Sequence, residues 1–416
     1  MKNKIYASII TIGDELLIGQ VIDTNSAFIA AQLNKIGVWM RHRVAVGDQW
    51  DDIWEALDDS ARVSDIILIT GGLGPTADDI TKPLLNSYFG GKMVVDEQTL
   101  QHVKNIFQST NRPLLESNYK QAEVPDVCKV IPNKNGTAPG MLFEKNGKIF
   151  VSMPGVPHEM QAIMQEYVIP LIREKYELPV IFHKTLTTLG IGESFLSERL
   201  KDFEAALPGN IKLAYLPNVR SVRLRLTATG EDAAETQCLL DTQFENLRHT
   251  IEDVVVTLDD KTLDQTIAEL LKQRKKTLST AESCTGGALA AMFTENAGAS
   301  QFFSGSVVCY SNDIKKQVLH ISPEDIATYG VVSKEVATQM AANVRELMQT
   351  DYTIATTGIL GPDGIEGKRV GTVWIAVANN KKVMAEEFSF QYNRQRNKEA
   401  AIKFGLNMLR KLILED

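Results

Sequence analysis

From residue 4 to about residue 90 the chain alternates short apolar runs with helix-forming ones: "IYASIITIG", "TNSAFIAAQLNKIG", "VWMRHRVAV", "QWDDIWEALDDSAR" and "DIILIT". β-Branched runs separated by amphipathic stretches are the sequence form of βαβ units. Such units demand a parallel sheet with helices covering both faces. The predicted fold class is therefore α/β, with a three-layer N-terminal domain. "KIFVSMPG" adds a further strand, and "HEMQAIMQEYVIPLIREKY" has the apolar i, i+3, i+4 spacing of a helix, so the first domain is placed at residues 1–170.

A chain of 416 residues is too long for one ordinary core, and the pattern changes after that point. Residues 171–257 mix strands and helices with no glycine-rich phosphate loop, which predicts a small α+β spacer domain. Within it, "RSVRLRL" alternates charge with apolar side chains and is expected to be an exposed edge strand, in preference to an RNA-binding one. Residues 258–416 alternate again, from the helix "LDQTIAELLKQRK" and strand "KTLSTAES" to a last helix ending at Leu412, and form a third, α/β domain.

A formal net charge of -8 argues against coating nucleic acid, which needs a basic surplus. Cys128, Cys238, Cys284 and Cys309 form no C-x-x-C pair, and the six histidines show no metal spacing. A reducing cytoplasm is expected, and any metal must rest on carboxylates. No stretch approaches the ~20 apolar residues of a membrane span. The N-terminal "MKNKIYASIITIG" is taken as a first strand, because its apolar run is short and breaks at Gly13-Asp14-Glu15.

Two stretches carry chemistry. "TGGLGPTADD", Thr70 to Asp79, follows the strand "DIILIT", and open α/β sheets bind ligands at such carboxyl ends. Gly71, Gly72 and Gly74 let backbone N–H groups approach a phosphate. Asp78 and Asp79 either complement the helix dipole or hold Mg²⁺ against that phosphate. The second stretch, "TAESCTGG", sets Ser283 beside Cys284 where a strand meets a helix. Backbone N–H groups from Cys284 through Gly287 are expected to face one pocket as oxyanion or phosphate donors. "VVCYSNDIKK" supplies Tyr310 and Lys315 as candidate bases. The plain alternative makes Ser283 a helix N-cap and Lys315 a surface lysine.

The first ten-residue stretch, with "GDELLIGQVIDTNS" at 13–26, "NGTAPGM" at 135–141 and "MPGVPHEM" at 153–160, resembles the molybdopterin-binding fold and the N-terminal domain of the CinA family. The resemblance implies metal-dependent hydrolysis of the ADP-ribose pyrophosphate. It makes Asp14, Asp78 and Asp79 the metal or acid residues, with Asp79 counted as catalytic and Mg²⁺ or Mn²⁺ as the cofactor. It also makes Asn25, Gly136 and Thr137 part of a nucleotide pocket, together with Gly71, Gly72 and Gly74.

Residues 262 to about 412 resemble the C-terminal CinA domain, the nicotinamide mononucleotide deamidase family, through "AESCTGG", "YSNDIK" and "GILGPDG…VGTVWIA". The resemblance implies Ser283 as nucleophile, Lys315 as base and Tyr310 alongside. Thr285, Gly286, Gly287, Gly358 and Gly361 would line the substrate, and no cofactor is required there. Cys284 is expected on the helix, turned inward, and is the second candidate nucleophile. Relatives tend to carry further arginines near the start of the last helix, where this chain has Arg394, Arg396 and then Ala400-Ala401, so the phosphate-holding residue stays open. Expected partners are small-molecule nucleotides and a second copy in a homodimer, with neither membrane nor nucleic acid. The alternative function is nucleotide sensing tied to DNA uptake or damage, with one or both sites inactive.

Overall fold

β1 (Tyr6–Ile12), β2 (Trp39–Val46) and β3 (Ile66–Thr70) lie side by side in one parallel sheet, joined by the crossover helices α1 (Thr24–Lys35) and α2 (Trp50–Val63). The computed structural model describes residues 4–76, 78–109, 111, 113–365 and 367–416. These fall into two compact units, Met1–Phe182 with Ala228–Gln237, and His183–Thr227 with Cys238–Asp416. In the first unit α3 (Thr81–Phe89) follows β3, and the sheet is completed by β4 (Lys129–Ile131), β5 (Gly140–Lys145) and β6 (Lys148–Met153) in the order β2-β1-β3-β6-β5-β4. β6 runs parallel to β3, and β5 and β4 are antiparallel to their neighbours.

Residues of β1 alternate between two cores, Ala7 and Ile9 into one, Ile10 and Ile12 into the other, and β3 repeats the pattern with Ile66 and Leu68 against Ile67 and Ile69. Burial on both faces is what a parallel sheet between helical layers requires, and it explains the nearly unbroken apolar run of "DIILIT". Register then sets the site. Ile12 pairs with Val46, and Thr70 pairs with both Thr11 and Met153, so the loops after four strands emerge at one edge.

The second unit carries two sheets. The first contains β7 (Val180–Leu189), β8 (Ile211–Asn218), β9 (Ser221–Gly230) and β10 (Val255–Leu258) in the order β8-β9-β7-β10. "RSVRLRL" is therefore an inner strand, not the edge strand expected. Its alternation does separate faces, with Val222, Leu224 and Leu226 buried and Arg223 exposed, but face polarity says nothing about strand order.

The other sheet is built from β11 (Leu278–Glu282), β12 (Phe303–Val308), β13 (Tyr352–Gly358), β14 (Thr372–Ala378) and β15 (Val383–Ser389), ordered β12-β11-β13-β14-β15. Its first three strands are parallel and the last two antiparallel. After α4 (Glu97–Ser109), α5 (Glu193–Ala205) and α6 (Ala233–Thr250), the helices that concern the site are α7 (Leu263–Arg274), α8 (Ala288–Thr294), α9 (Asn312–Val318), α10 (Lys334–Met348) and α11 (Arg394–Glu415). Small residues bring α11 close to the sheet: Ala400 and Ala401 are fully buried, and a Cβ at Gly405 would stand 2.7 Å from Ile354 Cδ1. Ala400-Ala401 thus serve packing. No helix among the described residues is long and apolar enough to cross a membrane.

Candidate active site

β11 ends in Glu282, which is fully buried and has no ion-pair partner among the described residues. It accepts hydrogen bonds from the N–H groups of Gly287 (2.9 Å), Leu289 (3.1 Å) and Ala290 (2.8 Å), and from the hydroxyls of Thr280 (3.3 Å) and Ser306 (3.5 Å). The orphan amides at the start of α8 are thereby gathered onto one side chain. Residues 283–287 must then turn tightly, and Gly286 (φ 66°) and Gly287 (φ 93°) occupy backbone conformations that other residues rarely adopt.

Ser283 stands at the head of this turn, fixed by its N–H donating to Thr356 O at 2.9 Å. It is not a helix N-cap, because Gly287 holds that position. Lys315, on α9, is only 1% exposed, and its Nζ donates to Ser283 Oγ at 3.1 Å, Cys309 O at 2.8 Å and Tyr310 O at 3.5 Å. The surface-lysine alternative is excluded. Burial lowers the lysine's pKa, against a smaller opposing influence of Cys309 and Cys284, so its proton is held less tightly than that of a free lysine.

Cys284 lies on the turn before α8, not on the helix, and its side chain joins the apolar core. Burial pushes its thiol up to about 12, which leaves no thiolate at neutral pH. Thr285 Oγ1 pairs with Thr356 Oγ1 at 2.7 Å in a buried contact, so it braces the turn and does not face a ligand. The expected row of free amides is also shortened. Gly286 N–H is taken by Ser283 O and Gly287 N–H by Glu282, so of that row the amides of Cys284 and Thr285 remain as candidate oxyanion donors.

The rim is basic. Tyr310, 63% exposed, touches Lys315 through its carbonyl only, and its hydroxyl accepts from Arg394 Nη2 at 3.3 Å. Tyr310 is therefore no base for Ser283. Arg394 Nη1 also donates to Gly361 O at 2.5 Å, joining the glycine-rich loop to the first turn of α11. Gly358 is needed for packing, since a Cβ there would lie 2.7 Å from Val373 Cγ2. Fully buried Asn397 donates to Leu360 O and Tyr392 O and accepts from Tyr392 N, which pins the same loop. Arg396 points outward, its backbone N–H capped by Asn393.

Glu282, Thr356 and Asn397 were not singled out from the sequence. Glu282 had a signal, as an acid ending an apolar strand just before a serine turn. Glu282→Ala strands three amides at once and is expected to destabilise the second unit by about 3–5 kcal/mol, measured as a shifted urea midpoint, with Glu282→Gln intermediate.

In the first unit Gly71 and Gly72 follow β3 in close quarters: a Cβ on Gly71 would meet Ile12 O at 2.2 Å, and one on Gly72 would meet Thr81 Oγ1 at 2.2 Å. Asn25 Nδ2 donates to Gly155 O (2.7 Å) and Thr70 Oγ1 (3.3 Å), while its buried Oδ1 has no partner. Asp79 braces the glycine loop: Oδ1 accepts from Gly74 N, and Oδ2 from Thr76 N–H and its hydroxyl. Both oxygens of the expected metal or catalytic acid are thus engaged in the loop. Thr137 donates to Gln121 Oε1 at 3.4 Å, and Gln121 donates to Leu73 O, so the 135–141 segment is tied to that loop through Gln121, to which no sequence motif points. Gly136 and Thr137 also line a cavity of about 160 Å³, below the ~300 Å³ at which ligand pockets begin.

Asp14 and Asp48 exchange backbone-to-carboxylate hydrogen bonds at 3.1 and 3.2 Å, a pairing that follows from the Ile12–Val46 register two residues earlier. Burial holds the Asp48 carboxyl above its ordinary range, and the charges of Asp14, Glu15 and Asp78 add to this against a hydrogen bond from Asp14 N–H. Mutual repulsion of this kind is what a cation relieves. Among the described residues no three His, Cys, Asp or Glu groups stand close enough to hold a metal by themselves. The donors fit a Mg²⁺ or Mn²⁺ that shares one or two carboxylates with ligand phosphates, and do not fit a closed protein cage.

Residues 8–174 match the family described as "Probable molybdopterin binding domain", 183–257 "Damage-inducible protein CinA KH domain", and 260–413 "CinA C-terminal domain". A "CinA-like protein" of Cytophaga hutchinsonii is 42% identical over 416 residues, 100% of each chain. Another from Flavobacterium psychrophilum is 44% identical over 413 residues, 99% of each. A crystal structure of a competence or damage-inducible protein from Enterobacter asburiae is 31% identical, covering 36% of this chain and 96% of that one with a TM-score of 0.36.

Proposed function

The chain belongs to the CinA family, and from that premise we propose that its C-terminal site is an amidase hydrolysing nicotinamide mononucleotide to nicotinate mononucleotide and ammonia. The observation that carries this is the 3.1 Å contact between Ser283 Oγ and the buried Lys315 amine, which has no ion-pair partner among the described residues. The neutral amine takes the Ser283 proton as Oγ attacks the carboxamide carbon. The resulting oxyanion is met by the amides of Cys284 and Thr285. The ammonium form of Lys315 returns its proton to the nitrogen, the C–N bond breaks and ammonia leaves. A water, deprotonated by the same amine, then cleaves the acyl-serine ester and restores Ser283. Arg394, at the rim, is the proposed phosphate partner. Ammonia release from nicotinamide mononucleotide by the purified chain tests the proposal. No release, with the nucleotide still bound, would favour the sensing alternative.

For the N-terminal domain the proposed reaction is metal-dependent hydrolysis of a nucleotide pyrophosphate, with ADP-ribose as substrate. The glycine turn, the unpartnered Asn25 Oδ1 and the Asp14–Asp48 pair support it. Asp14 and Asp48, with the charge of Asp78 nearby, would share the ion with the ligand's phosphates, and the ion would supply charge neutralisation at the pyrophosphate. Removing divalent ions with a chelator is expected to lower ADP-ribose cleavage by at least about 10²-fold, with recovery on adding Mg²⁺ or Mn²⁺. Full-rate cleavage in chelator would rule out the metal.

A further inference from the structure

The sheet face that carries Thr187, Ser221 and Arg223 closes a cavity of about 490 Å³ against the start of α7 and the middle of α11. Its walls are largely apolar, from Leu189, Leu216, Val256, Met292, Ile402 and Leu406. That volume lies within the range of small-molecule pockets. Two polar groups on the wall are incompletely used. Thr257, on β10, is 3% exposed, and its buried hydroxyl has no hydrogen-bond partner within the protein, so it can give or accept a bond from a ligand atom. Lys403, on α11, donates to Val219 O at 3.0 Å and Ser221 Oγ at 3.1 Å, both neutral oxygens, and an ammonium has a third donor to give.

The other charged groups on the wall each have a hydrogen-bond or ion-pair partner. Asp260 accepts from Thr185 at 2.8 Å and faces Arg223 at 3.6 Å, Lys261 pairs with Glu269 at 2.8 Å, and Asp264 accepts from Asn296 at 2.9 Å. Glu399, one turn before Lys403, accepts from Gln395 at 3.1 Å. Burial lowers the pKa of Lys403 and Glu399 opposes this, so a further negative charge at the amine would stabilise its protonated form.

We infer that this cavity binds a small amphipathic organic acid, with an apolar or aromatic body against the aliphatic wall and one carboxylate between Lys403 and Thr257. A nucleic-acid strand is the poorer occupant. Residues 183–257 contain no G-x-x-G, the element with which KH modules clamp a nucleic-acid backbone, and the cavity is sized for one small molecule.

The test titrates the full-length protein with benzoate, benzamide and inorganic phosphate, followed by saturation-transfer NMR and calorimetry with excess nicotinate mononucleotide, the product of the proposed reaction, present to occupy the serine site. Benzoate is expected to bind, benzamide about tenfold more weakly and phosphate not at all. Thr257→Val and Lys403→Met should each weaken benzoate by about tenfold. Lys403 also fixes a hairpin, so should Lys403→Met lose its native circular dichroism, Thr257→Val alone decides. Absent benzoate binding, binding unchanged in Thr257→Val, equal binding of benzamide, or benzoate displaced by a single-stranded ribo-oligonucleotide would each overturn the inference.

Discussion

Ser283→Ala is expected to lower kcat/KM for deamidation of nicotinamide mononucleotide by about 10⁴-fold or more, while ADP-ribose cleavage stays at the wild-type rate. The loss is large because serine and lysine act as one unit: without Oγ the amine has nothing to deprotonate, and an attacking water would have to find its own position. Cys284→Ala is the informative partner. Its thiol is buried in the core and pushed up to about 12, so its removal should cost activity less than about tenfold and act through packing. An inactive Cys284→Ala with an active Ser283→Ala would transfer the nucleophile to the thiol.

That contrast also shows where sequence stops being informative. The βα alternation of residues 4–90 made the parallel sheet legible, because period and element length are local properties. Strand order is not local, and "RSVRLRL" was misplaced at an edge for that reason. Ser283 and Lys315 stand in two short strand-to-helix segments on neighbouring parallel strands, so their meeting could be anticipated. The partners that hold them could not. Glu282 becomes the hub of its turn only when α8 folds back over it, and Asp48 joins Asp14 only through the β1–β2 register. The row of amides expected after Ser283 failed for the same reason, since a buried acid had claimed part of it.

Lys315→Arg and Lys315→Met are both expected to lose about 10³-fold or more in kcat, for different reasons that one pH series separates. Arginine keeps the charge but cannot release a proton near neutral pH. It must also push a larger, planar head into a site that is 1% exposed. Methionine fills the volume and removes the base. In the wild-type protein burial depresses the lysine's pKa, so the rate should fall as pH drops through the folded value and level off above it. The linkage has the same sign. The unfolded chain holds this proton up to the ordinary lysine value and the folded chain releases it earlier, so the wild type gains stability as pH rises between the two. Lys315→Met has no such proton to shed. Measured by thermal melting from pH 6 to pH 9, its stability relative to wild type should therefore be highest at the acid end and decline as pH rises. A pH–rate profile that stays flat in this range, together with a methionine variant whose relative stability does not decline as pH rises, would mean that Lys315 remains protonated in the folded state and acts on Ser283 only through its charge.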